Sequence, residues 1–379
     1  MKNIIFSLLV LFSLQIFAQV NENNLYRISQ EQKIFEFSTI YKELYYNFAN
    51  FNDCPEVNID SVYMTYIPII MNSENDFDYC QTVLSFLNEF RNPHTTVYEF
   101  PDYIMKKFNE GLNEGLKEDL NEDLIEEYSL PEEEAIPRNT FLTNIEEDFA
   151  YIKLTKCDNE NFYEYFVNCF DSISQFQNVI VDISYNEGGD GGATMYPLQL
   201  LLDQDTILYY REETKTNNSV MKARATVKIH YYEPEDVPQD FKDNYYSYYY
   251  NEHFERDPFL GEKFPNRVED SLRYKGNVHL IVSEQTPSAA EGFTLLLSQG
   301  QKVKTYGKKT MGAFGQPLVL FLNSGIKILI NTTRSFDFNG NYITQGYTPV
   351  YDYDFSEILK ISDNNEKLLK LIQVIKSFE

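Results

Sequence analysis

Ser288 is the residue of this chain best placed to act as a nucleophile. It stands where the apolar strand-like run HLIVS (279–283) gives way to a helix-like stretch, so its hydroxyl lies beside backbone N–H groups that have no intrahelical partner. About a hundred residues earlier a second β-branched run, NVIVDI (178–183), also stops at a small-residue turn. There Gly188 and Gly189 lack side chains and let backbone N–H groups approach a substrate closely. A serine at a helix start beside a glycine turn can bind the oxyanion that develops in acyl transfer. Ser288 alone would serve as a helix cap, a task serine does well. Its conjunction with the glycine turn and with His94 is what points to chemistry.

A serine hydroxyl needs a neighbouring base. The chain has four histidines: His94, His230, His253 and His279. His279 opens an apolar strand and reads as a packing residue, His230 lies in the strand-like KIHYY, and His253 in an acidic stretch. His94, in FRNPHTTVY, sits on a turn between a helical region and an extended segment, a place that commonly carries function, and is the candidate base. Lysine is the other side chain able to serve; Lys308 and Lys309 form an adjacent charged pair and read as exposed surface.

The opening MKNIIFSLLVLFSLQIFAQ has a positive start, an apolar stretch over 4–17 and a small residue, Ala18, before a cut, and reads as a secretory signal. That stretch is short for a membrane span, so a soluble mature protein outside the cytoplasm, periplasmic or secreted, is expected. With 32 Lys and Arg against 58 Asp and Glu, the formal charge of −26 argues against nucleic acid or anionic lipid as partners. The 43% apolar share is ample for a core. Four cysteines suit an oxidising compartment as bridges or buried thiols, Cys54–Cys80 and Cys157–Cys169 being the pairings of shortest separation. None has CxxC spacing, and no histidine and carboxylate set has ligand spacing, so neither metal nor cofactor is expected.

The elements that must position these residues follow from periodicity. Between about 30 and 92, apolar residues recur at three and four, as in FEFSTIYKELYYNFANF (35–51) and the stretch Tyr79 to Phe90, and predict amphipathic helices. Residues 106–135 are densely acidic with Gly and Pro and read as a connector. From Thr140 strands alternate with helices: DFAYIKL, the helical NFYEYFVNCFDSISQF, NVIVDI, a helix over 194–203 and a strand TILYYR (206–211). Residues 212–272 interrupt this pattern with tyrosine-rich, charged sequence and suggest an insertion or lid. Alternation resumes with VHLIVS, EGFTLLLSQG and KVKTYGKKT, then PLVLFL (317–322) and IKILIN (326–331) form a hairpin around Asn323-Ser324-Gly325. The alternation predicts an α/β core with parallel strands.

The phrase VIVDISYNEGG resembles the "hydrophobic strand, Asp, Asn, Gly-Gly" signature of the C-terminal processing (tail-specific) serine proteases. TPSAAE followed by YGKKTMG is similar to that family's nucleophile motif and its Thr-x-Gly, and TQGYTP (344–349) to its closing segment; the likeness covers most of 140–350. The resemblance implies that Ser288 is the nucleophile, that Ala289 supplies one oxyanion N–H and that Gly188 or Gly189 supplies the other. In the Ser-Lys branch a lysine would stand at Ala313; instead FLNEFRNPHTT resembles the "Asp-Gly-His-Thr" element of the branch containing the tricorn core protease, with His94 matching the base and Asn92-Pro93 replacing Asp-Gly. That branch also has a late acid, where this chain has Ile343 or Thr344; either another acid such as Asp337 substitutes, or water or backbone positions the histidine, or the site is degenerate.

The resulting expectation is an α/β, crotonase-like or ClpP-like core with an N-terminal helical region. In order these are a signal at 1–18, helices over 19–100, an acidic connector at 101–139 and a core over 140–379 with an insertion at about 212–272. The expected function is an exported serine endopeptidase acting on peptide or protein substrates. The alternative is a degenerate relative, similar to the photoreceptor retinoid-binding one, that binds peptide or an apolar ligand. For that reading the insertion, with seven Tyr over 231–250, would form the groove.

Overall fold

The computed structural model describes residues 27–106, 139–215, 254–256, 263–343 and 345–378. The signal, most of the acidic connector, the tyrosine-rich stretch, His230, His253 and Thr344 lie outside the described residues.

Three helices open the described chain: α1 (Gln30–Asn47), α2 (Ile59–Met71) and α3 (Asp76–Asn88). Each starts at a side chain that accepts an otherwise unpaired N–H of the first turn: Ser29 from Gln32, Asn58 from Ser61 and Asn75 from Asp78. Phe37, Ile40 and Leu44 recur on one face of α1 and are fully buried with Val83, Leu84 and Leu87 of α3. The helix starts are tied by a buried ion pair, Lys33 Nζ to Asp76 Oδ1 at 3.3 Å; Asp76 Oδ2 accepts the Arg27 and Ile28 N–H groups and the Tyr103 hydroxyl.

The next elements are β1 (Val97–Glu99), β2 (Thr140–Asn144), β3 (Phe149–Lys153), α4 (Tyr165–Ile173), β4 (Asn178–Asp182), α5 (Met195–Leu201), β5 (Thr206–Leu208), β6 (Arg211–Lys215), β7 (Phe254–Arg256) and β8 (Lys263–Pro265). They are followed by β9 (Asn277–Val282), α6 (Ala289–Leu297), β10 (Val303–Gly307), β11 (Pro317–Phe321), β12 (Lys327–Asn331), β13 (Thr333–Phe336), β14 (Tyr351–Asp352), α7 (Ser356–Leu359) and α8 (Asn364–Ser377).

The main sheet has the order β14-β10-β9-β4-β3-β2, parallel except for β2 at its edge. Its strands read as unbroken apolar runs because both faces are covered. Ala150, Ile152, Val179, Val181, Val278 and Leu280 pack with α4, α5 and α6, whereas Tyr151, Ile180, Ile281 and Tyr306 pack against Leu368, Leu371, Ile372 and Ile375 of α8. His279 is a packing residue: fully buried in β9, its ring nitrogens face the Tyr306 hydroxyl at 3.2 Å and Asn178 Oδ1 at 3.3 Å.

The expected hairpin forms as β11 and β12, but in a separate sheet ordered β1-β12-β11. Its Ile326, Ile328 and Ile330 complete the core of the N-terminal helices. TILYYR is two strands rather than one: β5 pairs β8 and β6 pairs β13, with the chain broken at Tyr209 and Tyr210, which turn toward Phe264 and Phe314. The stretch expected as an insertion therefore begins in the paired strand β6 and contains the paired strands β7 and β8.

No cysteine is bridged. Cys54, Cys80, Cys157 and Cys169 are free thiols, which corrects the expectation of disulfides. The first three are buried parts of apolar clusters, and burial pushes the Cys54 thiol up to about 11. No helix among the described residues is long and apolar enough to cross a membrane.

Removing one partner of the Lys33–Asp76 pair strands a buried charge. Asp76→Ala is expected to cost about 3–5 kcal/mol in urea unfolding; a loss below about 1 kcal/mol would mean the pair contributes no more than an exposed one.

Candidate active site

β4 and β9 are neighbouring parallel strands whose ends lie level, Asp182 opposite Ile281. Both small-residue turns therefore leave the same edge of the sheet, where open α/β sheets bind ligands. At the end of β4 the fully buried Asp182 carboxylate accepts the Tyr151 hydroxyl at 2.6 Å, the Ser184 N–H at 3.0 Å and the Ser184 hydroxyl at 2.5 Å. The turns are stitched together. Thr286 Oγ1 donates to the Ile183 carbonyl at 3.0 Å and accepts the Ser283 N–H, while the Ser283 hydroxyl donates to the Ser184 carbonyl.

Gly188 and Gly189 have φ of 74° and 131°, in the region that favours glycine. A Cβ on Gly189 would stand 2.3 Å from the Cys157 carbonyl oxygen, and one on Gly188 3.1 Å from Ser288 Cβ, so the glycine turn lies directly against the candidate nucleophile. The two N–H groups are not equivalent. Asn186, fully buried, accepts the Gly188 N–H at 2.9 Å and the Cys157 thiol at 3.2 Å, and its amide donates to the Leu154 carbonyl. The Gly188 N–H is thus committed, while the Gly189 N–H has no partner among the described residues.

Ser288 is a non-glycine residue at φ 54° and ψ −120°, a conformation that costs about 1–3 kcal/mol and persists only when its surroundings impose it. It precedes the first residue of α6, whose Ala289 N–H has no partner among the described residues. The Ser288 N–H donates to Glu291 Oε2 at 3.0 Å. Ala289 and Gly189 therefore carry the uncommitted N–H groups flanking the serine.

His94 is held by the residue before the proline. Asn92 Oδ1 accepts the His94 N–H at 3.0 Å and the Thr95 hydroxyl at 3.4 Å, so an amide oxygen does here what a carboxylate oxygen would do. Thr95 Oγ1 in turn accepts the Asn331 N–H from β12 at 3.0 Å. The His94 Nδ1 is buried and has no hydrogen-bond partner among the described residues. Desolvation drives its pKa down to about 4 against a smaller opposing effect of the Gly315 backbone. No carboxylate among the described residues bonds the His94 Nδ1. Asp337 spends both oxygens within its own turn, on the Asn339 and Asn341 N–H groups and the Asn341 amide. Ala313 is buried, while Lys308 pairs with Asp352 at the surface.

No hydrogen bond joins His94 to Ser288; they are connected by the segment 310–315. At one end the Thr310 hydroxyl and Gly312 N–H reach Glu291 Oε1 at 2.6 and 2.7 Å, and at the other Gly315 lies beside His94. Glu291 went unassigned by the sequence, although Ser288-Ala-Ala-Glu291 has the spacing of a capping box. Asn186 was missed as well, since its role depends on Leu154 and Cys157 from a neighbouring segment.

Residues 148–353, over half of the chain, match the profile of peptidase family S41, and the chain belongs to that family. Nothing among curated proteins matches it. A structure from Parabacteroides merdae assigned as a peptidase is similar over 91% of this chain and 96% of its own, with 14% identity and a TM-score of 0.60. Mature CPAF complexed with lactacystin is similar over 92% and 98%, with 10% identity and a TM-score of 0.60. The tricorn protease matches 92% of this chain but 37% of its own, with 12% identity and a TM-score of 0.50. At these identities the likenesses establish the fold, and the family establishes a serine peptidase type of hydrolase acting on peptides or proteins.

Burial pushes Glu291 from 4.5 up to about 7, against the donors that hold it, and His94 from 6.5 down to about 4. The folded state thus outcompetes the unfolded chain for the Glu291 proton between pH 4.5 and 7, and stability from this group is lost as pH rises. For His94 the unfolded chain binds the proton first, and stability is lost as pH falls from 6.5 through 4. Measured against wild type by urea melts, Glu291→Gln should gain on the order of 3 kcal/mol in relative stability from pH 4.5 to 7. His94→Gln should gain as pH falls instead; parallel trends in the two variants would refute these assignments.

Proposed function

We propose that the chain is an exported serine endopeptidase that uses a histidine base. Ser288 Oγ attacks a peptide carbonyl as His94 removes its proton, and the Ala289 and Gly189 N–H groups hold the oxyanion. His94 then protonates the leaving amine, and water releases the acyl-enzyme. One observation carries this reading: a serine in a strained backbone conformation, on a helix start, pressed against a glycine turn whose second N–H is uncommitted. The Asn92 turn supports His94, since its side-chain oxygen holds the His94 N–H and the Thr95 hydroxyl. The opening 1–18 supports export.

The lack of a carboxylate on His94 Nδ1 sets the expected pace. A base of pKa about 4 is neutral at pH 7 but accepts a proton weakly, so slow turnover is expected. The same observation favours a second reading, a degenerate member that binds peptide or an apolar ligand.

A fluorophosphonate probe separates the two. Wild type should be labelled, Ser288→Ala should not, and His94→Gln should label about 100-fold or more slowly. Labelling that survives Ser288→Ala would refute the nucleophile, and a folded wild type that takes no label would favour the binding protein.

A further inference from the structure

The proposed steps make no use of the carboxylate beneath the nucleophile. Glu291 is fully buried, yet four groups converge on it: the Ser288 N–H on Oε2, the Thr310 hydroxyl and Gly312 N–H on Oε1, and the Ala313 backbone. A capping-box glutamate needs only the N–H of the cap residue. Here the second oxygen binds a segment about twenty residues downstream. That segment is also tied to the nucleophile turn by the Met311 N–H, which donates to the Thr286 carbonyl at 3.2 Å. It continues to Phe314, whose carbonyl accepts the Asn331 amide at 3.0 Å, and so reaches the strand that holds Thr95, next to His94.

We propose that Glu291 is a positioning residue for acyl transfer, holding the Ser288 N–H on one oxygen and the Gly312 N–H on the other. This fixes the strained serine, leaves the Ala289 N–H as the donor open to substrate, and sets the spacing between the serine and the segment that borders the imidazole. The inference rests on Ser288 being the nucleophile. Asn186 plays the matching part in the glycine turn, occupying the Gly188 N–H and leaving that of Gly189. A neutral amide at 291 can keep its oxygen on the Thr310 and Gly312 side, but its NH2 then faces the Ser288 N–H, donor against donor. An aspartate, one methylene shorter, cannot span both sides.

The test compares second-order fluorophosphonate labelling rates and thermal melts of the full chain as wild type, Glu291→Gln, Glu291→Asp and Leu371→Ala. Leu371 packs on the opposite face of the main sheet and serves as the control for lost stability alone. Glu291→Gln should melt cooperatively and label about 100-fold more slowly, whereas Leu371→Ala, though destabilised, should label within about threefold of wild type. The proposal is overturned if Glu291→Gln labels within about threefold of wild type, or if Leu371→Ala slows as much as Glu291→Gln. Should Glu291→Gln fail to fold, Glu291→Asp decides: a loss of about tenfold or more supports the proposal, and an unchanged rate overturns it. An unlabelled wild type overturns the nucleophile and this proposal together, whereas a labelled wild type with unaffected Glu291 variants overturns this proposal alone.

Discussion

A backbone conformation that serine rarely tolerates is what the rest of this molecule is built to impose. At φ 54° and ψ −120°, Ser288 is strained and is held by its neighbours, the capping box it forms with Glu291 among them. The parallel pairing of β4 with β9 brings the two turns to one level, Thr286 and Ser283 lock them to each other, and Glu291 grips the serine from below. Thr286, Ser283 and Ser184 lie within a few residues of the ends of strands buried on both faces, so the rigidity of the sheet passes into the turns.

The imidazole belongs to a different core. His94 follows α3, and the helices that carry it share their apolar cluster with the β11–β12 hairpin rather than with the main sheet. Two packed units thus meet across the segment 310–315, and the relation of base to nucleophile depends on hydrogen bonds within it. A burial that excludes water from the ring also deprives its protonated form of stabilisation, and no counter-charge offsets this. The Ser288 turn is restrained many times over, while His94 is held by the Asn92 turn, by Thr95 and by the Gly315 backbone.

What could be read from the sequence was what depends on local pattern. The strands of the main sheet announce themselves because burial on both faces demands unbroken β-branched runs, and the helices because one face must be apolar at every third or fourth residue. That Ser288 and the Gly188-Gly189 turn stand together was legible because both follow β-branched runs that end in small-residue turns, and the structure pairs those runs as β4 and β9. Which glycine offers its N–H was not legible, since that choice is made by Asn186 through contacts with Leu154 and Cys157. The second oxygen of Glu291 escaped for the same reason, and so did the split of TILYYR, where Tyr209 and Tyr210 answer to rings far along the chain. The cysteines illustrate the opposite failure: an even count suggested bridges, yet apolar packing uses each thiol without bonding it.

The order of strands also governs when the two turns can meet. β4 and β9 are adjacent in space, but the chain between them runs through α5 and four further strands before returning. Closing so long a loop is entropically costly and slow, and the bonds that lock the two turns to each other cannot form until it happens. Until that loop closes, the serine and the two glycines lie on segments about a hundred residues apart, and only the finished sheet brings them to one edge.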